Sequence, residues 1–275
     1  MEICMTWSEE AEKAVSRVPF FVRKRVRGEV EKEAARQGSK RVLIEHVSAC
    51  RERFLAGKDI RIKGFQIETC FGSGGCENRA VESSQLVEEL EELLSKRDFA
   101  VFLKKKVGGN LKFHHEFRVS ISDCPNSCSR PQIVDIGIIG ALRPGRTEIS
   151  DQPCAGCGAC VAACREGAVD LTQNEQAPAL DPQKCVQCGK CVSACPSGAL
   201  TEAAKGWRIL LGGKLGRRPQ LGRELTGIYS SEEVLAIVER CLDLYFTHNI
   251  AGERLGTILN RIGYSTVSTE DLQKR

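Results

Sequence analysis

The chain has no apolar run that approaches the eighteen or so residues a bilayer-spanning helix requires, so a membrane span is not expected. Its opening stretch, "MEICMTWSEEAEKAV", lacks the basic and apolar regions of a secretory signal, and a cytoplasmic location is expected. An excess of one charge is lacking as well. In 275 residues, 40 Lys and Arg against 36 Asp and Glu leave a formal net charge of +4, which argues against a dedicated nucleic-acid binder. Cysteine, by contrast, is plentiful. In a reducing compartment fifteen cysteines are not expected to form disulfides, and regular spacing points to metal.

Residues 6–38 read as helical, with Thr6 and Glu9 as a capping box, an interruption at Pro19, and Val22, Val26 and Val30 at helical spacing before Gly38. A further helix is predicted over Ile44–Leu55. "DIRIKGFQIET" alternates at Ile60, Ile62, Phe65 and Ile67, the period of a half-buried strand broken at Gly64. Residues 83–98 form an amphipathic helix, residues 117–124 and 133–142 alternate as strands, and "GWRILLGG" is a third strand. Residues 230–246 make a helix capped by Ser230 and Glu233. The fold class expected is α+β, a mixed sheet with flanking helices.

Between residues 150 and 203 the composition shifts to Cys, Ala, Gly and Pro. "CAGCGACVAAC" and "CVQCGKCVSACP" are two copies of C-x2-C-x2-C-x3-C, in which three thiolates serve one iron–sulfur cluster and the fourth serves its neighbour. A zinc site would use cysteine pairs across a longer loop. This segment resembles the bacterial two-[4Fe–4S] ferredoxin. The resemblance implies one cluster on Cys154, Cys157, Cys160 and Cys195, and another on Cys185, Cys188, Cys191 and Cys164. The second copy ends in the family's Cys-Pro, whereas the first has Arg165 at that place, which adds a positive charge without removing a ligand.

Cys70 and Cys76 share one glycine-rich loop, and Cys124 and Cys128 share another; both loops follow predicted strands. Four thiolates from two loops suit a third cluster or a zinc ion. A phosphate loop is excluded, because "CFGSGGCE" does not end in GK[ST]. Gly72, Gly74 and Gly75 let backbone N–H groups approach a cluster. Cys4, Cys50 and Cys241 have no partner pattern and read as structural thiols.

"CFGSGGCENRA", "DCPNSCSRPQIVDIGIIG", "LLGGKLGRRPQLGREL" and "GERLGTILNRIG" together resemble the catalytic half of the sirohaem-containing sulfite and nitrite reductases, over roughly residues 60–263. The ferredoxin insertion is similar to that of the dissimilatory-type subunits. This resemblance implies a [4Fe–4S] cluster on Cys70, Cys76, Cys124 and Cys128, with Cys128 also ligating the iron of a sirohaem. It further implies carboxylate contacts from Arg118, Arg130, Lys214, Arg217 and Arg218, since arginine forks match carboxylates. Substrate handling would fall to Arg118, Lys214, Arg217 and His115, the histidine as a proton donor. Where the family carries a lysine pair this chain reads "HHEFRVSISDC", placing His114, His115, Glu116 and Arg118 there. Glu116 would repel an oxyanion unless protonated or turned outward.

The N-terminal "WSEEAEKAVSRVPFFVRKRVRGEVEKEA" resembles the small domain of a dark-operative protochlorophyllide reductase subunit. The domain expectation is therefore a helical domain at 1–48, a reductase-like domain at 49–149 and 204–275, and a ferredoxin insertion at 150–203. The function expected from the resemblance is six-electron reduction of sulfite or nitrite, with three [4Fe–4S] clusters and sirohaem. An electron-donating redox protein is expected with it, as is a homodimer or a partner chain that completes the haem pocket. The other reading is a three-cluster electron-transfer subunit without substrate chemistry of its own, and a tetrapyrrole-binding or sensing role would rest on the N-terminus alone.

Overall fold

The computed structural model describes residues 5–16, 18, 20–56, 62–146, 154–171 and 178–267. The chain divides into two compact units, Met1–Ile62 and Lys63–Arg275. Pro19, Ile60 and Cys4, on which parts of the sequence reading fall, lie outside the described residues.

In the first unit, β1 (Thr6–Trp7) pairs in parallel with β2 (Arg41–Val42), and three helices, α1 (Glu9–Ser16), α2 (Phe20–Arg36) and α3 (Ile44–Ala56), pack around them. Ala11, Val30, Ala34 and Val42 form the core, with Val26 and Cys50 against it. The expected Thr6 and Glu9 capping box is not there. Thr6 is drawn into the strand pair, and the cap moves to Ser8, whose Oγ accepts the Ala11 N–H at 3.3 Å.

The second unit is built on a five-stranded mixed sheet of β3 (Phe65–Thr69), β4 (Phe117–Ser122), β5 (Ile136–Arg146), β8 (Leu200–Leu211) and β9 (Arg223–Glu224), in that order. The pairs β3–β4 and β4–β5 are parallel, and the other two are antiparallel. Helices α4 (Ser84–Ser95), α5 (Phe99–Val107), α8 (Ser231–His248) and α9 (Leu255–Ile262) bury their apolar sides against one face of the sheet. Phe117, Val119 and Ile121 alternate onto that face, whereas Arg118, Ser120 and Ser122 point to the other. The expected capping box of α8 is present: Ser230 Oγ accepts the Glu233 N–H, and the Glu233 carboxylate accepts the Ser230 N–H. The architecture is α+β.

Phe99 begins α5 and stacks within 5.0–6.3 Å of Phe65, Phe117, Tyr245 and Phe246. Strand and helix aromatics thus share one junction, and truncation there leaves a cavity bounded by several elements. Phe99→Ala is expected to lower stability by about 3–5 kcal/mol, read as a reduced denaturant midpoint at unchanged slope.

Strands β5 and β8 form one long antiparallel arm, bulged between Arg143 and Pro144, where proline cannot donate to the ladder. Beyond its tip lies the cysteine-rich module, with α6 (Ala159–Ala163), β6 (Val169–Asp170), β7 (Ala179–Leu180) and α7 (Lys190–Ser193). Cys160, Cys191, Val169 and Leu200 are its small core. Because β5 continues past the end of β4, the arm carries this module to the end of the sheet at which both outer cysteine loops lie.

Candidate functional site

Both outer cysteine loops leave the carboxyl ends of adjacent parallel strands, the edge at which α/β sheets present their ligand sites. Cys70 follows β3 directly, and its N–H continues the ladder to the Ile121 carbonyl at 3.1 Å. Cys124 follows β4 two residues on. Asp123, between β4 and Cys124, joins the loops through its backbone. Its N–H donates to Cys70 Sγ at 3.3 Å, and its carbonyl accepts the N–H groups of Ala80 and Val81. Gly72 also donates to Cys70 Sγ at 3.3 Å. A side chain at Gly72 would place its Cβ 2.2 Å from the Asp123 carboxylate, so the first loop needs glycine there to lie against the second.

Burial pushes the Cys124 thiol up from its ordinary range, and the neighbouring Cys128, Cys70 and Cys76 thiols add to the effect.

In the ferredoxin-like motifs, thiols of one copy act on thiols of the other. Burial raises the Cys160 thiol, and the thiols acting on it are Cys195 and Cys154. Cys191 is pushed up to about 11 by burial, with Cys185, Cys188 and Cys164 as its neighbours. Cys195 is also partly buried, but hydrogen bonds from the backbone of Leu200, Ala199 and Ser197 and from the Ser197 hydroxyl outweigh that and hold it low.

The second motif abuts the outer quartet. A cavity of about 570 Å³ is lined on one side by Cys124 and Asn126 and on the other by Cys164, Cys185, Cys188 and Cys191. Lys190 Nζ donates to the Glu77 carbonyl at 2.5 Å, and the Leu142 N–H donates to the Gln187 carbonyl at 2.7 Å. These contacts fix the module to the first cysteine loop and to the arm.

A second cavity, of about 480 Å³, lies beside the second cysteine loop. Ser129, the residue after Cys128, is in its wall. Ser129 is buried and bonded on every side: its carbonyl accepts from Ser120, its hydroxyl meets Ser122, and its N–H donates to Ser122 Oγ. Strand β4 therefore sets the position of the second loop. Arg118, His115, Arg130 and Arg254 also line this cavity. The Arg118 Nε is buried without a hydrogen-bond partner. Arg130 sits in a left-handed turn (φ 59°) that turns its side chain outward.

His115 is held below its usual range, first by burial and then by His114 and Lys112. Its Nδ1 accepts the Lys112 N–H at 3.1 Å, so the neutral ring carries its proton on Nε2. Glu116 is buried, outside the cavity wall, and its carboxyl is raised by burial despite the opposing charge of Arg118. Of the two ways in which Glu116 would avoid repelling an oxyanion, placement outside the wall is the one seen.

Leu215 and Gly216 of the following turn complete the wall. Lys214 holds this turn against α9 by donating to Thr257 Oγ1 at 2.7 Å, whereas Arg217 and Arg218 are exposed on the turn and do not line the cavity. Gly213 must be glycine, since a Cβ there would meet the Gln132 carbonyl at 2.4 Å. Sequence reasoning misses several lining groups, Glu68, Glu253 and Arg254 among them, and the carboxylate bound to Arg254, Asp135. Arg254 and Asp135 sit inside motifs, "GERLG" and "IVDIG", but nothing local marks them as a pair.

Thiolate groups of this number, spacing and backbone support define an iron–sulfur protein. Residues 63–271 match the nitrite and sulphite reductase 4Fe-4S domain, and residues 7–51 match the proto-chlorophyllide reductase 57 kD subunit family. The chain belongs to the nitrite and sulphite reductase 4Fe-4S domain family. It is 34% identical over 197 residues to the coenzyme F420-dependent sulfite reductase of Methanocaldococcus jannaschii, covering 71% of this chain and 28% of that protein. It is 26% identical over 245 residues to one subunit of the anaerobic sulfite reductase of Salmonella typhimurium, covering 80% and 66% respectively. The chain thus spans less than two thirds of the length of these relatives. Among solved structures it is similar to dissimilatory sulfite reductase I (TM-score 0.44, 19% identity, 73% of this chain and 50% of that one). A second similar structure is the NirA protein of Mycobacterium tuberculosis (TM-score 0.43, 20% identity, 80% and 31%). No described helix is long and apolar enough to cross a membrane.

Proposed function

We propose that this chain is the cluster-bearing, substrate-binding module of a sulfite reductase, with three [4Fe–4S] clusters and a sirohaem beside Cys128. The observation that carries this reading is the position of Ser129. Ser129, which follows Cys128 in the chain, lines a cavity that Arg118 also lines, and the Arg118 Nε is buried without a partner. The names of the relatives favour sulfite over nitrite.

In this reading Cys154, Cys157, Cys160 and Cys195 would hold one cluster, Cys185, Cys188, Cys191 and Cys164 a second, and Cys70, Cys76, Cys124 and Cys128 a third. Cys164, Cys185, Cys188 and Cys191 share a cavity with Cys124. The clusters and a sirohaem beside Cys128 would supply the electron-transfer chemistry that the reduction needs. Arg118 and Arg130, which line the second cavity, would meet tetrapyrrole carboxylates or the oxyanion. Lys214, Arg217 and Arg218 lie on the neighbouring turn outside its wall and would reach only carboxylates that extend beyond it. The His115 Nε2–H is a proton donor at the cavity wall. Overall, HSO3⁻ with six electrons and six protons gives HS⁻ and three waters, the electrons coming from a reduced redox-partner protein. The domain organisation proposed is the N-terminal helical domain, the reductase-like domain in two segments and the ferredoxin insertion at 150–203. A second copy or another subunit would complete the pocket.

Anaerobic purification with iron and sirohaem quantified tests this. The expected result is about twelve irons per chain, sirohaem absorption bands after supply of the cofactor, and sulfite-dependent oxidation of reduced viologen. A full complement of iron with no sirohaem uptake and no turnover would overturn it in favour of an electron-transfer subunit.

A further inference from the structure

Asp135 stands at the foot of β5, completely buried. Its carboxylate accepts the Arg118 N–H at 2.9 Å and the Leu255 N–H at 3.0 Å. It also takes the Arg254 side chain through Nε (2.9 Å to each oxygen) and Nη2 (2.6 Å). Two of these donors come from the first residues of α9 and its cap, 119 and 120 positions away. A buried carboxylate is tolerated only when it is met by hydrogen bonds in this way. Arg254 is itself largely buried, with its side chain 18% exposed. Burial alone would lower its pKa, but the charge and hydrogen bonds of Asp135 raise it, so the guanidinium stays protonated.

The pairing uses the Nε and Nη2 edge of the fork. Nη1 makes no protein hydrogen bond among the described residues, and Arg254 lies in the wall of the same cavity as Arg118. A single carboxylate thus orders both arginines, one through its backbone and one through its side chain.

We propose that Asp135 is a positioning residue that holds Arg254 against the cavity as a charge-assisted contact for an oxyanion, either a tetrapyrrole carboxylate or the sulfur oxyanion. The proposal rests on the function assigned above, but its test separates the two. The cluster-loaded chain is titrated with sirohaem, followed by absorption, and separately with sulfite, followed by calorimetry. Arg254→Gln is expected to weaken at least one of these about ten- to a hundredfold at unchanged iron content, the loss of one charge-assisted hydrogen bond. Arg254→Lys recovers part of it, keeping the charge without the fork. A loss on the sirohaem arm assigns the contact to a ring carboxylate, and a loss on the sulfite arm assigns it to the oxyanion. Asp135→Asn moves the same arm, because Arg254 remains but is no longer aimed.

A folded, iron-replete Arg254→Gln protein with both affinities within about twofold of the parent would overturn the proposal. So would a folded Asp135→Asn protein unchanged in both. If Asp135→Asn does not fold, the two Arg254 variants decide. Should the parent chain take up no sirohaem yet bind sulfite in an Arg254-dependent way, the proposed function falls and this inference stands. Binding of neither ligand by the parent chain sinks the inference as well.

Discussion

Replacement of Cys124 by serine is expected to remove one cube, about four of about twelve irons per chain, and to abolish sulfite turnover while the two ferredoxin-like clusters persist. Cys124 is the most enclosed thiol of the outer quartet, at 7% exposure, and the other three thiols face it. A serine hydroxyl is a hard, weakly acidic ligand where iron–sulfur chemistry selects a soft thiolate. The ferredoxin-like ligands belong to separate loops with their own core, so their iron does not depend on Cys124. Cys241→Ala is the control. That thiol lies in the sheet-and-helix core, pushed up to about 12 by burial, and its loss should leave the iron count untouched. Iron assay with electron paramagnetic resonance of the reduced proteins reads both. Full iron in Cys124→Ser would remove the quartet from the cluster assignment.

The cysteine spacing is readable in sequence because each ferredoxin-like motif is local, and because both outer loops follow strands whose alternation is plain. What spacing alone does not convey is that the strands are adjacent and parallel. That adjacency follows from the register of Phe65–Thr69 against Phe117–Ile121, and it is what makes two cysteine pairs into one quartet. In the sequence the two pairs are grouped because both loops follow strands, with a cluster or a zinc ion both allowed, and the resemblance to sirohaem reductases implies the cluster.

Elements defined by distant partners are harder to read. Thr6 looks like a helix cap until Arg41 pairs with it, and β8 begins at Leu200, well before Gly206, because β5 holds it in register over the whole arm. The helix Phe99–Val107 is short and nearly all apolar in its first turns, so its periodicity gives no face. Asp135 and Arg254 show the limit most clearly. A lone aspartate at the start of a strand and a lone arginine before a helix are each ordinary surface residues by pattern, and only the fold reveals that both are buried against one another.

Arg118→Gln is expected to lower kcat/KM for sulfite by about a hundred- to a thousandfold, the usual cost of removing one preorganised donor from the site of a developing anion. The iron content should be unchanged, because the structural bond from Arg118 is made by its backbone N–H to Asp135, which glutamine retains. The side chain instead carries a buried Nε with no protein partner, so its removal leaves no acceptor stranded. The variant also has a signature in pH. Burial raises the Glu116 carboxyl and the Arg118 charge opposes that shift. Without the arginine, Glu116 moves further up. A carboxyl raised in the folded state costs nothing at low pH, where both states are protonated, and its penalty grows as pH rises toward the folded value. The stability gap between Arg118→Gln and the parent should therefore widen from mildly acidic to neutral pH, whereas a simple packing defect would give a gap independent of pH. Denaturation of both proteins across that range separates the two, and unchanged sulfite kinetics in the variant would take Arg118 out of the anion site.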